Sequence, residues 1–310
     1  MWFIYALAVV LFWGTADLFY KAGADENDKY SHLKTSIMVG LVMGAHAFYV
    51  LIFGNIGYDF RNLFIYLPVS AMYILSMTLG YFGLRYLELS ISSPIQNASG
   101  AVVCIMCLVF LGQTMDVLST VSVILICIGV FILGLLEKQK ENEYEAEHNK
   151  KYKIGFIAFL MPILYCIFDS LGTFFDAWYL DDINSTFLVN VNESNFEDVA
   201  NVSYELTFFI VAIVLFVYIK FIKKQKIGTF KQKERAAAAI FETAGQFAYV
   251  YAMSGNGVVA APMVASYSIV SIILSRIFLK EKLTKKQYAV VTLVIIGIAL
   301  MGIAEGLAEA

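Results

Sequence analysis

Ten stretches of roughly twenty mostly apolar residues follow one another along this chain, each long enough to cross about 30 Å of hydrocarbon. They run approximately over 2–22, 33–54, 63–84, 90–111, 117–136, 154–178, 203–222, 236–253, 257–279 and 287–306. Lipid offers no partners to backbone N–H and C=O groups, so segments of this length must be helices. A transmembrane barrel would show short alternating segments instead. Composition agrees: the 310 residues are 60% hydrophobic and 15% charged, against about half and a quarter in soluble domains. The sequence predicts an all-α polytopic membrane protein of ten transmembrane helices. Met1-Trp2-Phe3 lacks a basic leader, and the run behind it is of full span length, so it is expected to remain as a helix.

The ten runs fall into two related halves. Displaced by 168 positions, Pro94 falls on Pro262, Phe110-Leu111 on Phe278-Leu279, Tyr81 on Tyr249 and Gly134 on Gly302. The first span matches the sixth at a displacement of 152, and a longer loop after the sixth absorbs the difference. This divides the chain into a first five-helix repeat, 1–136, a charged linker, 137–153, and a second five-helix repeat, 154–310. An odd number of helices per half inverts one repeat relative to the other.

Basic residues orient the bundle. Alternate connections collect 21 of the 22 Lys and Arg residues, from Lys21, Lys29, Lys34 and Arg85 to Lys280, Lys282, Lys285 and Lys286; Arg61 alone lies opposite. By the positive-inside rule both termini face outward and the linker is cytoplasmic, in what is expected to be the plasma (inner) membrane. The outward loop 181–201 carries three N-glycosylation sequons, at Asn184, Asn192 and Asn201, usable only in a secretory pathway that glycosylates. Cys104-x-x-Cys107 lies inside an apolar run without basic or histidine neighbours and reads as small buried residues.

Polar groups inside the spans are the candidates for function, because each is costly in lipid. Asp17 and Asp169 stand at the same repeat position, sixteen residues into their spans. Trp13 shares a helical face with Asp17, and Tyr165 and Asp176 share one with Asp169. In the eighth span Glu242, Gln246, Tyr249 and Met253 form a stripe; Gln96 and Asn97 follow Pro94 in the fourth, and Tyr81 lies in the third. The bland alternatives are an ion pair of Glu242 with Arg85 at a helix end, hydrogen bonds from Asp17 and Asp169 to helix ends, and an interhelical bond from His46. Tyr204 and Glu205 fall near the outer end of the seventh span, where a charge is cheap, and are not counted. Inversion displaces Asp17 toward the cytoplasm and Asp169 toward the exterior, one on either side of a midplane site. Gly40-x-x-x-Gly44 permits close helix approach, and the glycine pairs of the fifth and tenth spans suit packing or a homodimer.

Phe12-Trp13-Gly14-Thr15 with Lys21, and Phe278-Leu279-Lys280-Glu281-Lys282-Leu283-Thr284 with Gln287, resemble the drug/metabolite transporter superfamily, in particular its EamA-like members. The resemblance covers essentially the whole chain. It implies a central cavity lined by spans one to four and six to nine. Two features depart from the pattern. Gln113 stands where the first repeat usually has an acidic residue, and no proline interrupts the middle of spans four and nine, where Gly100 and Ser268 stand. Members commonly keep both termini inside, whereas the lysines here argue for outside.

Four acidic and several aromatic side chains favour a secondary transporter of a cationic or amine-bearing solute, with the carboxylates also available as proton carriers for antiport. Neutral or zwitterionic metabolites such as amino acids are the alternative. A receptor or scaffold, or an intramembrane enzyme built on Asp176, Asp181 and Asp182, is the remoter one. No cofactor, metal or nucleic-acid partner is expected; the partners are the solute, protons and the bilayer.

Overall fold

A computed structural model describes residues 2–87, 89–147, 152–227, 231–281 and 283–308. The described residues form helices joined by turns, with no strand among them. The first half contains α1 (Trp2–Gly23), α2 (Ser31–Phe53), the short α3 (Arg61–Ile65), α4 (Leu67–Gly83), α5 (Leu89–Gln96), α6 (Ser99–Met106) and α7 (Val117–Glu147). The second contains α8 (Tyr152–Tyr179), α9 (Phe196–Val217), α10 (Gln232–Met253), α11 (Gly257–Ala265), α12 (Tyr267–Leu274) and α13 (Lys285–Ala308). Six helical stretches, counting α11 and α12 with their extension as one, are long and apolar enough to cross a membrane, and three shorter apolar ones accompany them. α10 is not among the six, because residues such as Arg235, Glu242 and Gln246 dilute its apolar content.

Polarity is arranged inside out. Ile4, Leu11, Ile52, Phe53, Val109, Phe131, Val214 and Ile240 are exposed on the outside of the bundle, whereas Asp17, Gln96, Asp176, Glu205, Glu242 and Gln246 are buried within it. That is the expected arrangement for an integral multi-pass protein, whose surrounding solvent is hydrocarbon.

The helices pair as α1 with α10, α4 with α8, α2 with α9, α7 with α13 and α6 with α11. Small residues set the closest approaches. A Cβ on Gly40 would lie 2.3 Å from the Phe208 carbonyl oxygen, and one on Gly100 would lie 2.5 Å from the Ala265 Cβ. Between α2 and α9, His46 Nδ1 also meets the Glu205 carboxylate at 2.9 Å.

Two spans are broken. The fourth turns at Asn97–Ala98 between α5 and α6, and the ninth turns at Ser266 between α11 and α12. Side chains at the breaks hydrogen-bond back to their own helix: Asn97 Nδ2 to the Ser93 carbonyl at 2.8 Å, Ser266 Oγ to the Met263 carbonyl at 2.5 Å. Such bonds compete with the regular ladder and bend it. The break therefore needs no proline at its centre. Each broken span ends in a π-helical turn, Cys107–Leu111 and Ser275–Leu279, followed by a left-handed residue, Gly112 at φ 65° and Lys280 at φ 61°. Glycine adopts that conformation freely, and a lysine does so at some cost. Ala98 and Ser266, Cys107 and Ser275, and Gly112 and Lys280 are each 168 residues apart.

The start of each broken span is capped from the far end of the other. Gln113 Oε1 accepts the Val258 N–H at 2.8 Å, and Glu281 Oε1 accepts the Leu89 N–H at 3.0 Å. Gln113 thus performs the acceptor role expected of a carboxylate, while its amide donates to Asp181.

Some boundaries differ from the sequence expectation. α9 starts at Phe196, seven residues before the apolar run, with Glu197 and Asp198 in its first turn. Acidic side chains favour a helix N-terminus, so charge here begins the helix that apolar content alone would start later. Asn201 lies inside α9 and is buried, which removes it as a glycosylation acceptor, whereas Asn184 and Asn192 are exposed. α7 continues through 137–147, so the first part of the linker prolongs the fifth span. Residues 148–151, with Lys150 and Lys151, and Lys282 lie outside the described residues.

Two measurements check this packing. Gly40→Leu is expected to lower stability by about 1–3 kcal/mol through overpacking against α9, seen as a lower melting midpoint in detergent. Gly306→Leu, where a Cβ meets nothing within 4 Å, should leave the midpoint unchanged. His46→Leu is expected to cost about 3 kcal/mol by leaving Glu205 buried without this partner, and the double variant His46→Leu/Glu205→Leu should recover much of that loss.

Candidate functional site

Four helices supply the core of the site by ordinary helical spacing. Trp13, Asp17 and Tyr20 share one face of α1, and Tyr73, Met77 and Tyr81 share one of α4. Tyr165 and Asp169 come from α8, and Glu242 from α10. Together with Gln96, Tyr204 and Tyr267 they line a narrow space between the helices, about 490 Å³ when the part open to solvent is counted. A second space of about 330 Å³ shares Trp13, Tyr73, Tyr165, Asp169 and Tyr267 with the first and extends along Asn97, Ser99, Thr173 and Tyr249. Both lie where the broken spans turn.

Each carboxyl group has hydroxyl partners. Asp17 Oδ2 accepts from Ser93 Oγ of α5 and Ser271 Oγ of α12, both at 2.7 Å. Asp169 Oδ2 accepts from Ser99 Oγ of α6 at 2.7 Å. Glu242 Oε2 accepts from the Tyr20 hydroxyl at 3.2 Å. Asp176 accepts from the Tyr66 hydroxyl and lines neither space. Among the described residues no Lys, Arg or His lines either space.

Aromatic rings pack against one another in the lining. The Trp13 ring lies 5.0 Å from Tyr249 and 5.8 Å from Tyr267, and Tyr20 lies 4.5 Å from Tyr81. Tyr73 donates to or accepts from both Thr173, at 2.8 Å, and Tyr249, at 2.7 Å. Glycines make room for the rings: a Cβ on Gly245 would lie 2.2 Å from the Trp13 ring, and one on Gly80 would lie 2.8 Å from the Tyr165 ring. Negative ring faces beside carboxyl groups form a surface suited to a desolvated cation.

Of the residues singled out in the sequence, Trp13, Asp17, Tyr81, Gln96, Tyr165, Asp169 and Glu242 line the first space, and Asn97 and Tyr249 line the second. Gln246 is buried away from both, with neither amide atom hydrogen-bonded. Arg85 does not pair with Glu242; its guanidinium donates to the carbonyls of Asp25, Glu26 and Lys29. Gln96 donates to Ser92 Oγ, within its own helix. Tyr20, Tyr73, Tyr204 and Tyr267 line the site without having been singled out. The recurrence of Tyr20 one turn beyond Asp17, and of Tyr73 two turns before Tyr81, was the available signal. Tyr204 and Glu205 stand near the end of the apolar run in sequence, but the early start of α9 places them well inside the helix, and both are buried.

The sequence profile of the EamA-like transporter family matches residues 1–135 and 199–303. No curated protein matches the sequence. A crystal structure of another protein superposes with a TM-score of 0.66 at 9% identity, covering 99% of this chain and 98% of that one, which makes the two alike in fold. The profile spans well over half of the chain, and the protein belongs to the EamA-like transporter family.

Proposed function

We propose that the protein is a secondary active transporter of a small organic solute, cationic or amine-bearing, working by alternating access at the central cavity. The observation that carries this reading is the meeting of Asp17, Asp169 and Glu242 in one aromatic-walled space that, among the described residues, no Lys, Arg or His lines. A carboxyl group in such a setting is either neutral or matched by a cation brought from outside. Solute and proton competing for the same carboxyl group yield antiport without further machinery.

The bundle is read as ten spans in two inverted five-helix repeats. Its support is the recurrence at 168 residues of the broken span, the π-helical turn and the left-handed residue, together with the reciprocal packing of α1 on α10 and α8 on α4. In that frame Asp17, tied to Ser93 near the start of the fourth span, belongs to the inner half of the site. Asp169, tied to Ser99 beyond the break, belongs to the outer half. Basic connections argue for outward termini in a plasma membrane.

Uptake into proteoliposomes tests the site. Asp169→Asn is expected to abolish solute flux, and unchanged transport would remove this residue from the mechanism. A cysteine at exposed Asn184 should react with an impermeant maleimide on intact cells, above the background of the four native cysteines. One at Lys280 should react only after permeabilisation, and the reverse pattern would overturn the orientation.

A further inference from the structure

We infer that the transported solute carries two positive centres and is a short α,ω-diamine in chemical class. One ammonium is held at Asp169 and the other between Asp17 and Glu242. This rests on the reading of the central cavity as a cation site and goes beyond it in the number and spacing of the charges.

Three carboxyl groups line the cavity, and any that a bound cation does not match must stay neutral; a single positive centre leaves two such groups, and two centres leave one. The lining supplies no positive side chain among the described residues, so a second positive centre in the solute supplies what the protein does not. A zwitterion of the same length would instead set its own carboxylate against this acidic wall.

The spacing fits a short chain. Asp17 and Asp169 are marked on the fourth span by Ser93 and Ser99, their respective hydroxyl donors. Six residues separate these serines, at most about 9 Å at 1.5 Å per residue, because the span turns at Asn97–Ala98 between them. With an ammonium about 2.8 Å from each carboxylate, a chain of only a few methylenes fits between the nitrogens.

Two tyrosines mark the inner end. The Tyr81 hydroxyl is buried beside Tyr20 and lines the cavity. Its ring packs 4.5 Å from that of Tyr20, whose hydroxyl donates to Glu242. An ammonium has three N–H donors and no acceptor. One such group at this end serves both Glu242 and the Tyr81 oxygen.

Binding to purified, detergent-solubilised protein tests the inference, with butylamine, 4-aminobutyrate and diaminoalkanes of three to eight carbons as probes. 1,4-Diaminobutane is expected to bind at least about tenfold more tightly than butylamine, with affinity passing through a maximum along the series and 4-aminobutyrate weakest. Asp169→Asn and Asp17→Asn should each remove the advantage of the diamine, while Asp59→Asn in the outer loop should not. If either variant fails to fold, the chain-length dependence of the unaltered protein decides alone. Equal affinity for diamine and monoamine overturns the two-centre inference and leaves the cationic reading standing. Binding of 4-aminobutyrate in preference to both amines, or of neither amine, overturns the cationic reading and this inference with it.

Discussion

A bilayer interior offers no hydrogen-bond partner, and the rest of this structure follows from that constraint. It makes every span a helix, turns apolar side chains outward, and requires each polar group placed inside to find a partner in another helix. Where the fourth and ninth spans break, the freed backbone groups and the carboxyl groups meet the same need together. Serine and asparagine side chains close onto neighbouring carbonyls, and other serines donate to Asp17 and Asp169. Discontinuous backbone is tolerated at this depth only where it lines a cavity or is covered by protein, so the break and the site belong to one place.

The two broken spans also depend on each other at their ends. Gln113, just past the end of the fourth, receives the first turn of the ninth, and Glu281, just past the ninth, receives that of the fourth. Displacing one broken span along its axis therefore disturbs the start of the other.

Much of the architecture was legible in the sequence, because length and apolarity are local properties. The helices α1, α2, α10 and α13, and the stretch from α11 through α12, begin or end within a few residues of their apolar runs, and the Gly40 and Gly44 contacts follow from spacing. The site was legible where polarity stood out against lipid-facing surroundings, as at Asp17, Asp169 and Glu242. Tyrosines were harder to read, since a ring at the bilayer interface and one in a cavity look alike in sequence; Tyr73 and Tyr204 were hidden this way. Glu205 was lost for a different reason. Its helix starts earlier than the apolar content suggests, and a shift of seven residues, about 10 Å of helix, carries a side chain from the rim to the interior. The breaks at Asn97 and Ser266 depend on side-chain bonds that local composition does not announce.

The tie between Asp17 and Ser271 joins residues 254 positions apart. The same face of α1 meets α10, with Trp13 donating to the Glu242 carbonyl across 229 positions. At a synthesis rate of about 5–20 residues per second, the first helix is made roughly 13–50 s before its last partner emerges from the ribosome. Through most of that interval a membrane-embedded carboxyl group has neither Ser271 nor α10 beside it. The earliest helix of this protein therefore needs provisional shelter during biosynthesis, from α2 or from the insertion machinery, and its final seat is among the last places of the bundle to be completed.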